Sequence, residues 1–180
     1  GARLSGASPR HGRPMLGAPV VAILQQSSTV VVSRDNELLT EAAVLGMRYL
    51  RIITYPMDVF ETGAEFLQVL ARFFVHSHGY RIKRAFARVL HTIIEPVART
   101  ASAELFHPTW MDAMATLMPK TQGMAMRARY FGTAYPLWTV ALCASPPDVL
   151  VDRWFPCVEA GWSRMRERKD TETRAMVYAC

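Results

Sequence analysis

Residues 80–99 read YRIKRAFARVLHTIIEPVAR. Ile82, Ala85, Phe86, Val89, Leu90, Ile93, Ile94 and Val97 recur at steps of three and four, the spacing that lines one side of an α-helix. Arg81, Lys83, Arg84, Arg88 and His91 occupy the opposite face. An apolar stripe of this kind needs a neighbour to bury it, so this helix belongs to a packed all-helical unit. Pro96 offers no N–H to the helical ladder, and the helix is expected to kink or end there.

The same period extends in both directions. Upstream, ELLTEAAVLGMRYLRIIT (37–54) is amphipathic, with Asp35 or Asn36 as its cap and Tyr55-Pro56 as its stop. DVFETGAEFLQVLARFFVH (58–76) follows, with Asp58 as cap and Glu61 as its capping-box partner. Its wide stripe implies more than one neighbour, and Gly79 suits the turn that leads into residue 80. Downstream, Pro108 fits a first helical position. It opens a methionine-rich helix over about 108–127 that Pro119 is expected to break. A helix over about 132–144 runs through Pro136, and another, beginning after Ser145-Pro146-Pro147-Asp148 and running to about Arg168, carries Pro156. That last helix is expected to bury Val149, Leu150, Trp154, Phe155, Val158, Trp162 and Met165. Residues 1–36 are irregular: 1–19 read as disordered, and the β-branched runs within 20–32 lack a third partner for a sheet. Residues 169–180 read as a polar tail.

The helices pair as 37–76, 79–127 and 130–168, units of a size built from helical hairpins. The expected fold is therefore all-α, a HEAT/armadillo-like α-solenoid segment of about three hairpins over 37–168. A closed helical bundle is the competing architecture.

Composition narrows the function. The 180 residues are 51% hydrophobic and 20% charged, which is globular rather than disordered. Three cysteines (Cys143, Cys157, Cys180) are too few and too widely spaced for a disulfide framework, and point to a reducing compartment. No apolar run reaches membrane-spanning length. The chain begins with Gly rather than Met, which suggests a piece of a longer or processed protein. The net charge of +6 comes almost wholly from arginine, since only Lys83, Lys120 and Lys169 are lysines. Arginine favours bidentate contacts with carboxylate or phosphate.

Few residues suggest chemistry. His76 and His78 at a helix end could hold a metal only with a third ligand, and none stands at ligand spacing. His91 reads as a surface or groove histidine, while Cys143 and Cys157 read as buried, inert thiols. Glu61 and Glu65, one turn apart, suit the helix dipole as first-turn acids. Phosphate-binding glycine loops, nucleophile elbows and zinc-protease motifs are absent. No catalytic residue, cofactor or metal site is assigned, and no small-molecule substrate is expected. The densest charge cluster is Arg81, Lys83, Arg84 and Arg88, an electrostatic docking face for an acidic protein surface. A plain solvated face is the simpler reading of the same residues. A nucleic-acid-binding helical repeat is the alternative, weakened because only Tyr80 offers a stacking aromatic nearby. The methionines of 111–126 suit either an adaptable surface or a core.

The stretch MRYLRIITYPMDVFETGAEFLQVLARFFVHSHGYRIKRAFARVLHTIIEPVA (47–98) resembles the N-terminal region of fungal cell-morphogenesis proteins of the Furry family. HPTWMDAM (107–114), RYFGTAYPLWTVALCASP (129–146) and WFPCVEAG (154–161) look like the same region continuing. The resemblance implies a piece of a very large, non-enzymatic scaffold of HEAT/armadillo-like repeats. Its implied partners are an NDR/LATS-class protein kinase and a Mob co-activator. Its implied place is the cytoplasm, at the cell cortex or sites of polarised growth. The tail after Lys169 departs from the continuing repeat that the family would show.

Overall fold

The computed structural model describes residues 38, 41, 42, 44–46, 60–100, 103–167 and 171–180. The expectations for residues 1–36, the Tyr55-Pro56 stop and the Asp58 cap lie outside them. So do the side chain of Glu61 and most of the 37–54 helix. Leu38, Glu41, Ala42 and residues 44–46 are helical, and Val44 is buried in the core.

Six α-helices follow: α1 (Phe60–His76), α2 (Tyr80–Thr100), α3 (Pro108–Ala125), α4 (Phe131–Cys143), α5 (Pro147–Glu167) and α6 (Thr171–Ala179). A 3-10 turn, Ala103–Phe106, precedes α3. The described residues contain no strand. The α1–α2 turn places Gly79 at φ 83°, a left-handed conformation that only glycine adopts at little cost. Pro108 opens α3 directly after His107, where a missing N–H costs nothing.

Helix stacking follows from the stripes. α1 packs on α3, α2 packs on α4, and α3 packs along α4. The core between them holds Leu67, Leu70, Phe74, Phe86, Leu117 and Trp138. Trp110 at the start of α3 donates its indole N–H to the Ala144 carbonyl at the end of α4, 2.8 Å away, which ties the two helices at one end. The methionines side mainly with the core: Met114, Met118 and Met124 are buried, and Met111 and Met126 are exposed.

Several expectations are corrected. Pro119 does not break its helix, and α2 runs past Pro96 to Thr100. Pro119 and Pro156 lie on exposed helix faces, where water can meet the carbonyl that a proline leaves unpaired. The segment read as a polar tail contains α6, which docks on α4 and α5 through Met176 and Val177. The largest difference concerns α5. Trp154, Phe155, Val158 and Trp162 are exposed, whereas Cys157 and Gly161 are the buried residues. The cause is steric. α5 seats against Tyr135 of α4, and a Cβ at Gly161 would fall 2.8 Å from the Tyr135 ring carbon Cζ and 3.0 Å from Val177 Cγ1. Only a face of small residues approaches that closely, so the bulky apolar residues turn outward.

Candidate functional site

α2 sorts its basic residues by depth. The four residues of the expected docking face fall into three settings. Arg81 is exposed, and its Nε donates to Glu41 Oε2 at 2.9 Å. Lys83 is not on the surface: it is 7% exposed. Its ammonium donates to the carbonyl of Phe74 and to that of Val75, the latter at 3.0 Å, and lies 4.8 Å from the Phe74 ring centroid. It therefore caps the C-terminal end of α1, where helix carbonyls lack intrahelical partners. Burial, with a smaller contribution from Lys120, lowers its pKa to about 8. Arg84 and Arg88, one turn apart, are exposed, and their guanidinium groups have no hydrogen-bond or ion-pair partner among the described residues.

These two arginines stand at a groove of about 790 Å³ between α2, α4 and α6. Ala87, Pro136, Leu137 and Met176 supply its apolar lining, while His91, Thr92, Thr133 and Glu172 supply polar groups. Tyr80 closes one end, with its hydroxyl 3.4 Å from the Thr133 hydroxyl and its ring 5.6 Å from that of Tyr130. The Arg129 guanidinium lies over both rings, 5.5 Å from Tyr80 and 5.8 Å from Tyr130, which places a third cation beside this tyrosine pair. Pro136 has no N–H to offer the carbonyl of Gly132, another lining residue. The site thus combines a cationic wall, an apolar floor and one carboxylate on the far side. Such a surface suits an acidic chain with an apolar residue beside its carboxylates.

His91 faces the groove from α2, 3.6 Å from Glu95 Oε2. Glu95 favours the imidazolium, but burial disfavours it more strongly and the His91 pKa falls below its usual value. At neutral pH the contact is therefore not a charge pair. Glu95 is held to Arg99 instead, at 2.7 Å, and that hydrogen bond lowers its own pKa.

The thiols sit apart from the groove lining. Cys157 is buried as expected, whereas Cys143 is exposed at the end of α4. Burial around the sulfurs raises all three thiol pKa values, that of Cys157 to about 12. Each therefore remains protonated at neutral pH and lacks the thiolate of a nucleophile. His76 and His78 are exposed at the α1–α2 turn, and no cluster of three or more metal-ligating residues forms among the described residues. No described helix is long and apolar enough to cross a membrane.

Sequence reasoning singled out Arg84 and Arg88 but missed Arg129, Tyr130 and Glu172. Glu172 lines the groove, and Arg129 and Tyr130 stack beside Tyr80, only when α4 and α6 fold against α2.

A family of cell-morphogenesis proteins, described by their N-terminal region, matches residues 21–180. Cell morphogenesis protein PAG1 of Saccharomyces cerevisiae is 34% identical over 133 residues, which is 74% of this chain and 6% of that protein. Cell polarity protein mor2 of Schizosaccharomyces pombe is 27% identical over 137 residues, 76% of this chain and 6% of that protein. The chain thus spans about 6% of the length of these relatives. No solved structure matches it.

Proposed function

The chain belongs to the cell-morphogenesis N-terminal family, and from that premise we propose that it is a non-catalytic segment of a helical-repeat scaffold. In this reading it supports NDR/LATS-class kinase signalling in cell morphogenesis and polarised growth, in the cytoplasm at the cell cortex. The observation that carries the reading is the pair of unpartnered arginines, Arg84 and Arg88, fixed on a packed helix beside a groove. A packed helix fixes the backbone beneath these charges, so that only their side chains have to be ordered on association with an acidic protein surface. The stacking of α1 on α3 and of α2 on α4 supports a helical-repeat arrangement, with α1–α2 and α3–α4 as the hairpins in place of the expected 79–127 and 130–168 pairs, since α2 does not pack along α3. The partners are an NDR-class kinase and its Mob co-activator, brought together at high effective concentration.

The test is affinity capture from fungal lysate with the full 180-residue chain as bait, at low and moderate salt. Mass spectrometry is expected to identify an NDR-class kinase or its Mob partner at both salt levels. Recovery of nucleic acid that is lost steeply with salt would replace this reading with a basic nucleic-acid-binding module. Recovery of neither would refute docking on this segment.

A further inference from the structure

Arg84, Arg88 and His91 stand at i, i+4 and i+7 on α2, so they share the face that lines the groove, over about 10 Å of helix. The two guanidinium groups are the fixed charges of this row, because burial keeps His91 neutral at neutral pH. Among the described residues no carboxylate lies within ion-pair distance of either arginine. Glu95 is held by Arg99 at 2.7 Å, and Glu172 stands on the α6 wall. Between the walls the lining is apolar, with Ala87, Pro136, Leu137 and Met176. The groove therefore has one place for negative charge, beside the two arginines. A carboxylate set further along it would meet apolar surface or the like charge of Glu172.

We infer that the groove takes a phosphorylated side chain on a segment of a partner protein, its phosphate shared by Arg84 and Arg88 and an adjoining apolar residue on the floor; this rests on the two arginines being a docking pair. Charge density favours phosphate. A phosphate monoester brings about two negative charges at pH 7 and three acceptor oxygens to one point. Two arginines one turn apart, each a planar fork of donors, can both bond it. A single carboxylate brings one charge, satisfies one fork and leaves the second arginine unneutralised. A run of Asp and Glu matches the total charge but spreads it over the floor and towards Glu172. Arg129 lies 5.5 Å from the ring centroid of Tyr80, one turn before Arg84, and adds positive potential at this end. The setting also favours a protein segment over a lipid surface. The arginines line a groove between three helices with a carboxylate across from them, whereas an anionic bilayer is broad and carries negative charge throughout.

Peptide libraries with one fixed residue and randomised flanks test this on the full 180-residue chain. The fixed residue is phosphoserine, serine or glutamate, and the best selected peptide is then titrated by fluorescence anisotropy. The phosphoserine library is expected to be selected, with an apolar residue favoured close to the phosphoserine. Serine or glutamate in place of the phosphoserine should weaken binding at least tenfold. Arg84→Gln and Arg88→Gln should each weaken it by about tenfold to a hundredfold, the range of a hydrogen bond to a charged group. Arg81→Gln, which lies outside the groove lining, should leave it unchanged. Thermal unfolding of each variant separates lost binding from lost folding. A glutamate peptide bound as tightly as its phosphoserine counterpart would overturn the inference and leave acidic docking standing. So would a phosphoserine library that yields nothing while a kinase–Mob complex still binds through Arg84 and Arg88. Failure of both would bring down the docking reading as well. Phosphopeptide binding indifferent to the two arginine variants would also refute a phosphate seated on them. Inorganic phosphate that displaces the peptide at equal concentration would reduce the groove to a bare anion site. Phosphatidylcholine vesicles doped with phosphatidylinositol bisphosphate that bind more tightly than the peptide would replace the protein segment with a lipid headgroup.

Discussion

Gly161→Ala should destabilise this protein even though alanine is the better helix former. In an exposed helix interior, glycine to alanine gains roughly 1 kcal/mol. At position 161 the added methyl would lie 2.8 Å from Tyr135 Cζ and 3.0 Å from Val177 Cγ1, and still closer to the Tyr135 hydroxyl. Tyr135 cannot swing away. Its ring stacks on Phe131 at 4.8 Å and meets Trp138 edge-on at 6.4 Å, and both neighbours are buried. α5 must therefore move off α4 and carry α6 with it, and overpacking of this kind costs roughly 1–3 kcal/mol. The net effect is a loss of about 0–2 kcal/mol, or up to about 8 °C in Tm for a chain of this size. Gly123→Ala in α3 is the matched control, because a Cβ there meets nothing within 4 Å and only the propensity gain remains. Thermal unfolding followed by circular dichroism should lower Tm for the first variant and raise it for the second. If Gly161→Ala raises Tm as much as Gly123→Ala, the close seating of α5 on Tyr135 is wrong.

Three further outcomes are expected. Lys83 is held near pKa 8 in the fold, against about 10.5 when unfolded, so the unfolded chain holds more protons between those values and this residue's contribution to stability rises with pH there. Lys83→Met should remove that part of the slope, read as the difference in Tm between pH 8 and 10 for the two proteins; identical slopes would place Lys83 in solvent. Trp110→Phe removes the donor to the Ala144 carbonyl and leaves part of the buried indole's space unfilled, and should cost about 2–4 kcal/mol in urea unfolding. Gly79→Ala forces a side chain into the left-handed region at φ 83° and should cost about 1–2 kcal/mol, whereas Gly79→Asn should cost less.

α2 was legible in the sequence because its apolar and basic residues divide cleanly around the helix, and Ile82, Phe86, Val89, Leu90 and Ile94 are buried as that division implies. Lys83 was not legible. It lies at the edge of the stripe, and its burial depends on where the carbonyl end of α1 comes to rest, which is a tertiary fact. α5 shows a different limit. Hydropathy identified its apolar residues, but two apolar faces competed for one neighbour. The choice went to small residues, because close approach to Tyr135 mattered more than side-chain bulk. α6 was read as tail because its nine residues bury little, with only Met176 and Val177 docked on the core. Of the expected docking face, Arg84 and Arg88 stand at the groove, Arg81 is tied to Glu41, and Lys83 is internal. The groove itself needed three helices from distant parts of the chain.

The most direct test of the docking account is the association rate of the full chain with a purified NDR-class kinase–Mob complex, measured against ionic strength. The comparison is between the unaltered protein and Arg84→Glu/Arg88→Glu. Both residues are exposed, so stability should change by less than about 0.5 kcal/mol. The account predicts an association rate reduced at least tenfold at low salt, with a flattened salt dependence. Equal rates and equal salt slopes for the two proteins would contradict it.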